Sequence, residues 1–289
     1  MEPSPAPDSV LVLDGPLGTE LLRRGVPTPL PGWSAHALES QPEAVEGIHR
    51  DYARSGAVVH TTNTFRTRAR VFPDRWEALT RAAVRAAKAG ALPGQRVAGS
   101  LAPLEDCYRP DLSPALTDEL ACRREHADLA LALADAGCDL LLCETFPLVR
   151  EALLAAEAAL ATGLETWVAF TPGPDADLLT PSEIAAGARE ALALGASAVL
   201  VNCVPARVAL EFVEELAGIL PSTGARCGCY ANAGQVDEKM GWSSTPGIPE
   251  RYADVAEAWV RAGATIVGGC CGTGPEHVAA LAQRLGARA

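Results

Sequence analysis

The stretch Ala264-Thr265-Ile266-Val267-Gly268-Gly269-Cys270-Cys271-Gly272-Thr273-Gly274-Pro275 starts as one kind of backbone and ends as another. It begins as a short buried strand, because Ile266 and Val267 are β-branched and follow a turn-forming Ala-Gly-Ala. It ends as a helix start. Thr273 can serve as N-cap, Pro275 suits the first helical position, and Glu276 complements the dipole of the first turn. Adjacent cysteines in a regular strand point to opposite faces. Flanking glycines permit a curl that brings both sulfurs to one point. Two converging thiols make a disulfide, a redox pair or half of a metal site. A vicinal disulfide is strained, and a zinc site needs three or four ligands. The third should stand at the end of another strand on the same side of the sheet. Ser197-Ala198-Val199-Leu200-Val201-Asn202-Cys203-Val204-Pro205 supplies it in Cys203. Any of these cysteines alone reads as a plain buried residue; the trio at two strand ends favours a metal.

The strand-then-helix unit recurs upstream. Strands are expected at Ser9–Gly15, Gly56–Thr64, Gln95–Pro103, Cys138–Thr145, Thr166–Phe170, Ser197–Pro205 and Ala225–Tyr230, with the eighth at Ile266. Helices are expected after Pro16, at Glu43–Ser55, Arg75–Ala89, Thr117–Ala136, Val149–Thr162, Ser182–Leu194, Pro205–Leu220 and Glu250–Ala262, and from Pro275 to Leu285. Pro27 to Pro42, with Trp33 inside it, reads as loop. Gly56, Gly137, Gly195 and Gly263 recur just before strands, as helix C-caps do. Eight alternating units in a chain of 289 residues predict an α/β fold, a single-domain (β/α)8 TIM barrel over residues 9–289, preceded by a flexible tail over residues 1–8. An open doubly wound sheet is the competing architecture.

Composition bounds the partners. With 48% hydrophobic residues the chain can bury a large core, and a formal net charge of −12 argues against nucleic acid or an anionic membrane. No apolar run has the length of a membrane span. The nine cysteines are an odd number, and the chain opens without a secretory leader, so a reducing cytoplasm is expected.

In such a barrel the active site lies at the C-terminal ends of the strands. Those ends collect Asp14, Thr62 and Asn63, Ser100, Glu144 and Thr145, Cys203, Asn232 and the Cys270–Cys271 pair around one mouth. A glycine-bearing turn before a helix can also bind phosphate, so a flavin or sugar-phosphate barrel without zinc competes. Three thiolates leave a zinc ion with an open position and a poor appetite for activating water. Such a centre suits a fourth thiolate, and the reaction implied is alkyl transfer to a thiol. A structural zinc would take four protein ligands, and Cys227 or Cys229 could complete one. Asp14 and Glu144 can hold an amino-acid amine by charge-assisted hydrogen bonds, with backbone N–H groups of Gly15 to Thr19 on its carboxylate. Either acid alone could instead cap a helix or pair with an arginine. His60 reads as a core histidine, and His36, His49, His126 and His277 as structural or exposed.

These residues resemble the homocysteine S-methyltransferase family over about Leu11 to Leu285. The resemblance rests on Leu13-Asp14-Gly15 with Gly18-Thr19-Glu20-Leu21, on Thr62-Asn63-Thr64-Phe65, Glu144-Thr145-Phe146 and Val201-Asn202-Cys203, and most specifically on Gly268-Gly269-Cys270-Cys271-Gly272-Thr273. It implies a zinc-bearing barrel that methylates homocysteine to methionine. The family's metal cysteines fall on Cys203, Cys270 and Cys271, and its homocysteine-binding acids on Asp14 and Glu144. Gly15 and Asn202 are expected beside the same substrate. Trp33-Ser34-Ala35 is similar to the branch using S-methylmethionine or S-adenosylmethionine. Thr62-Asn63-Thr64-Phe65 is closer to the homocysteine module of cobalamin-dependent methionine synthase. Thr145 stands where the betaine enzymes carry a tyrosine, which weakens betaine as donor. All these small donors are cationic, and Trp33, Tyr230 and Trp242 are candidates for an aromatic wall around the cation. The expected partners are thus a small thiol acceptor and a small methyl donor. A thiol-binding barrel without turnover is the remaining alternative.

Overall fold

The computed structural model describes residues 10–220, 224–233 and 248–286. The tail at residues 1–8 and the candidate Trp242 lie outside them. In chain order the strands are β1 (Leu11–Val12), β2 (Val59–Thr61), β3 (Arg96–Leu101), β4 (Leu140–Phe146), β5 (Glu165–Phe170), β6 (Ala198–Pro205), β7 (Arg226–Asn232) and β8 (Ile266–Gly269). The helices are α1 (Leu17–Arg23), α2 (Ala37–Ser40), α3 (Pro42–Arg54), α4 (Trp76–Gly90), α5 (Glu119–Asp135), α6 (Val149–Leu160), α7 (Pro181–Leu194), α8 (Ala209–Gly218), α9 (Ile248–Arg261) and α10 (Pro275–Leu285). None among the described residues is long and apolar enough to cross a membrane.

The sheet runs β1-β8-β7-β6-β5-β4-β3-β2, every pair parallel. Its two ends meet at a parallel bridge between Leu13 and Val59. There Asp14 N–H donates to the Val59 carbonyl at 3.0 Å and Val58 N–H to the Val12 carbonyl at 2.8 Å. The ring therefore closes as a (β/α)8 barrel, and the open sheet is excluded.

Period-two alternation sorts the strand residues into two cores. Leu13, Val59, Ala98, Leu140, Leu142, Trp167, Ala169, Ala198, Leu200, Tyr230 and Ile266 fill the barrel interior as one buried cluster. Val97, Leu141, Cys143, Val168, Phe170, Val199, Val201, Cys227, Cys229 and Val267 face outward and pack under the helices in the larger one. The helices follow the same logic: α3 buries Val45, Ile48 and Tyr52 on one stripe.

Local signals hold with few changes. Gly56, Gly137, Gly195 and Gly263 all adopt positive φ, from 89° to 117°, as the recurrent C-cap requires. The segment read as loop from Pro27 to Pro42 contains a 3-10 turn at Trp33–His36 and the short α2. A 3-10 turn at Ala206–Val208 precedes α8, so that helix starts later than its sequence pattern suggests. Thr273 does not cap α10. Gly274 is the N-cap, its N–H donating to His277 Nδ1 at 3.1 Å, while the Thr273 hydroxyl donates back to the Cys270 carbonyl at 2.8 Å.

Two buried clusters of titratable groups lie outside the cavity wall, apart from Asp14. Glu151 accepts from Leu104 N–H at 2.7 Å and from the Ser113 hydroxyl at 2.5 Å, with His126 Nε2 at 3.3 Å. It thereby ties two points of the β3–α5 loop, Leu104 and Ser113, to α6. His49 is fully buried, its Nδ1 3.8 Å from Asp14 Oδ2 and its ring 6.1 Å from that of His60. Burial, and secondarily His60, push the His49 imidazole down to about 3. An unfolded histidine binds its proton near pH 6.5, so this group's contribution to stability is complete above that pH. It is lost as pH falls toward 3, by about 1.4 kcal/mol per pH unit for one proton. His49→Leu is therefore expected to flatten the fall in urea midpoint between pH 7 and pH 5. A limb as steep as that of the wild type would assign the acid sensitivity elsewhere.

Candidate active site

One cavity of about 300 Å³ opens at the C-terminal ends of the strands. Its wall takes Asp14, Gly15, Trp33, Glu144, Cys203, Tyr230, Cys270 and Cys271, eight residues expected from sequence at six separate places in the chain, together with Thr62, Asn63 and Thr145. The closed ring explains the convergence, since all eight strands deliver their ends to one mouth.

The Sγ atoms of Cys203, Cys270 and Cys271 all lie within 4.8 Å of one another. Cys203 and Cys270 are paired sulfur to sulfur across 67 residues of sequence, their Cα atoms 5.6 Å apart. Cys271 is the free, half-buried member. Alternation alone would not produce this trio. Asn202 faces inward on β6, so Cys203 should face the helices. A register shift between Asn202 and Pro205, with Cys203 at φ 52°, turns its sulfur to the cavity instead. After β8, Gly272 at φ 79° turns the chain beyond the cysteine pair. Cys270 N–H donates to the Ala231 carbonyl at 2.8 Å, and the Cys271 carbonyl accepts from Ala233 N–H at 3.0 Å, so β7 holds both. Three soft sulfur donors at one point suit a thiophilic cation. Burial pushes the Cys271 thiol up to about 11, with the Glu144 charge adding to it. At neutral pH such a thiol keeps its proton unless a cation takes the proton's place.

Cys227 and Cys229 do not join the trio. Both lie in the outer core, and the Cys227 thiol donates to the Gly263 carbonyl at 3.4 Å. The period of two places them on the face opposite Tyr230, so a four-cysteine site drawing on β7 is ruled out.

The two carboxylates are held differently. Asp14 is 3% exposed, and its Oδ2 accepts from Thr61 N–H at 2.9 Å. Burial raises its carboxyl well above the usual range against the pull of that bond, and the Glu144 charge adds to the rise. Glu144 Oε1 accepts from the Ser100 hydroxyl and Oε2 from the Tyr230 hydroxyl at 3.1 Å. Its carboxyl is also raised, by burial, with the two hydroxyls opposing. Neither acid caps a helix or pairs with an arginine. Two buried acids on one wall favour a cationic guest, which would relieve both.

Asn202 does not line the cavity. Its Oδ1 accepts from Thr145 N–H at 3.1 Å, its Nδ2 donates to the Thr145 hydroxyl at 2.7 Å, and the same Nδ2 lies 3.6 Å from Cys203 Sγ. This inward residue, expected from sequence beside the substrate, spends its amide on the neighbouring strand end and on the Cys203 sulfur. Asn232 is buried off the cavity wall, and His60 is a core residue bonded to Gln95 at 2.9 Å.

Two of the three aromatic candidates lie at the cavity, and two further aromatics stand with them. Trp33 and Tyr230 line the cavity, joined by Phe65 and Tyr108. Trp33 meets Phe65 edge to face at 5.9 Å. A Cβ on Gly18 would overlap the Trp33 ring, so glycine there is what lets the indole lie against α1. Arg66, Asp106, Cys107 and Tyr108 also face the cavity and escaped the sequence reading. They sit on βα loops beyond the last apolar strand residue, where no periodicity marks them; only their position after β2 and β3 could have.

The geometry agrees with the comparisons. The chain matches the family model described as homocysteine S-methyltransferase over residues 11–285. The homocysteine S-methyltransferase of Escherichia coli (strain K12) is 31% identical, with 95% of each chain covered. The metallated form of the homocysteine methyltransferase MmuM from Escherichia coli superposes with a TM-score of 0.76 at 30% identity over 96% of each chain. The oxidized form of that enzyme gives 0.75 at 29% identity, over 95% of this chain and 96% of the other. With its closed barrel and its cysteine trio beside two buried acids, this chain belongs to the homocysteine S-methyltransferase family of enzymes.

Proposed function

We propose that this enzyme moves a methyl group from a small cationic donor to the thiol of L-homocysteine, giving methionine. The observation that carries the reading is the convergence of three cysteine sulfurs and two buried carboxylates on one cavity. Cys203, Cys270 and Cys271 would hold a zinc ion; the existence of a metallated relative supports a metal there, and the all-sulfur donor set supports zinc. Held by these three cysteines, such an ion would supply acidification of an incoming thiol near neutral pH.

The remaining work falls to the chain. Asp14 and Glu144 hold the homocysteine ammonium. The first-turn N–H groups of α1, around Leu17 to Thr19, lack helical partners and can take its carboxylate. Asn202 acts as a positioning residue, bracing Cys203 against Thr145. Trp33 and Tyr230, with Phe65 and Tyr108, face the donor cation. In the transfer, the acceptor sulfur forms a new S–CH3 bond as the donor's bond to that methyl breaks. The bonding pair stays on the donor, which leaves as a neutral thioether or amine, and the thiol proton goes to solvent. Holding both partners in line supplies much of the rate. S-methylmethionine and S-adenosylmethionine are favoured over betaine, because Thr145 is committed to Asn202 and offers no tyrosine to the cavity.

A phosphate-binding barrel is disfavoured by three acids, Asp14, Asp106 and Glu144, on the wall of the cavity. The test is metal per chain in reduced protein, followed by methionine formation from homocysteine with each donor. About one zinc per chain and turnover with a sulfonium donor are expected. Folded, reduced protein that neither holds zinc nor forms methionine would sink the reading.

A further inference from the structure

The cavity's charges are divided between floor and rim. Asp14 and Glu144 are buried in the floor, 3% and 9% exposed. Among the described residues that line the cavity, Arg66 is the only cation. It follows Phe65 at the end of β2, and its guanidinium carbon stands 5.8 Å from that ring's centroid. Its single protein hydrogen bond is a long one, Nη1 donating to the Glu105 carbonyl at 3.4 Å, and its enclosed Nε has no protein partner. It makes no ion pair with Asp106, the acid that lines the cavity on the same side as Cys107 and Tyr108, which instead accepts from Tyr108 N–H at 2.8 Å. The other arginines of this region are engaged: Arg68 donates to the Pro103 carbonyl, and Arg70 pairs with Glu105 and Glu125.

A guanidinium with spare donors, in a protein of net charge −12, at the edge of an otherwise acidic cavity, calls for an anionic group on a ligand. The acceptor's ammonium is assigned to the floor. Its carboxylate is assigned, in the proposed transfer, to the first-turn N–H groups of α1. We infer that Arg66 is a specificity-determining residue that receives the carboxylate of the methyl donor while the donor's cationic centre lies against the aromatic wall. The donor is then a zwitterion, with its positive centre and its carboxylate held by different groups. This rests on the proposed methyl transfer and adds a requirement to it: sulfonium compounds lacking a carboxylate should bind poorly.

The test is calorimetric binding of three probes to the wild type, Arg66→Gln and Arg66→Lys: S-methylmethionine, its α-carboxamide, and homocysteine. Arg66→Gln is expected to weaken S-methylmethionine roughly 10- to 100-fold, the range for losing a charge-assisted hydrogen bond. The carboxamide should bind the wild type and Arg66→Gln alike, and homocysteine should change less than about twofold. Arg66→Lys, keeping the charge without the planar fork, should recover part of the loss. Equal losses for S-methylmethionine and its carboxamide would make Arg66 merely structural and overturn the inference. So would a loss confined to homocysteine, which would hand Arg66 to the acceptor. Homocysteine binding by the wild type reports on the underlying reading separately: if it binds and S-methylmethionine does not, the donor assignment to Arg66 fails while the acceptor site stands.

Discussion

Cys271→Ser is expected to lose bound metal and turnover together. Cys271 is the free member of the trio, half-buried and facing the cavity, so its thiol is the one that most directly meets a ligand. A serine hydroxyl is a harder and far less acidic donor than a thiol, and it does not replace a thiolate on a thiophilic cation. Losing a supporting group beyond the ligands typically costs 10- to 100-fold in metal affinity or activity. Loss of a ligand itself should exceed that, on the order of a thousandfold or more. The residue lies in the turn after β8 and outside the buried apolar clusters, so the barrel should remain folded. Cys227→Ser is the control: its sulfur faces the outer core, and the variant should keep metal while losing some stability. The measurement is metal per chain by mass spectrometry beside initial rates. Wild-type turnover by Cys271→Ser would remove the trio from the chemistry.

Glu144→Gln is expected to separate the acceptor's KM from everything else. The change keeps size and keeps one oxygen for either the Ser100 or the Tyr230 hydroxyl, the other meeting the amide NH2, and removes the charge that would face an ammonium. It also turns an NH2 toward that ammonium. Charge-assisted hydrogen bonds lost in a buried site correspond to roughly 10- to 100-fold in KM for homocysteine. KM for the donor should hardly move. A thiol without an amine, such as 3-mercaptopropionate, should be methylated equally by wild type and variant. A uniform fall with both thiols would mean that Glu144 shapes the cavity and does not read the amine.

The path from sequence to site was uneven for physical reasons. Strand and helix positions followed from apolar periodicity and glycine caps, which are local, and the eightfold repeat made closure into a ring the natural outcome. The cysteine trio was legible because its members sit at strand ends beside glycines. Alternation also predicts, once the ring is closed, that Cys227 and Cys229 face away from the residue between the second of them and Ala231, Tyr230. What sequence did not show is where alternation breaks. Cys203 reaches the cavity through a register shift, and nothing in Val201-Asn202-Cys203-Val204 announces one. Arg66, Asp106 and Tyr108 lie on loops, whose course depends on tertiary anchors such as Glu151 far along the chain.

Four residues other than glycine have positive φ among the described residues, and three of them, Trp33, Thr145 and Cys203, line the cavity. Each such conformation costs on the order of 1–3 kcal/mol. A regular barrel strand offers the mouth only every second side chain. The irregular end of β4 offers neighbours instead, Glu144 beside Thr145, and that of β6 adds Cys203, which alternation would send to the helices. The same eight strands thus carry a denser set of functional groups than a uniform lattice permits. A designer copying this chemistry onto an idealised barrel would have to import the two irregularities along with the residues, because point substitutions at regular positions would leave Cys203's counterpart facing the helices.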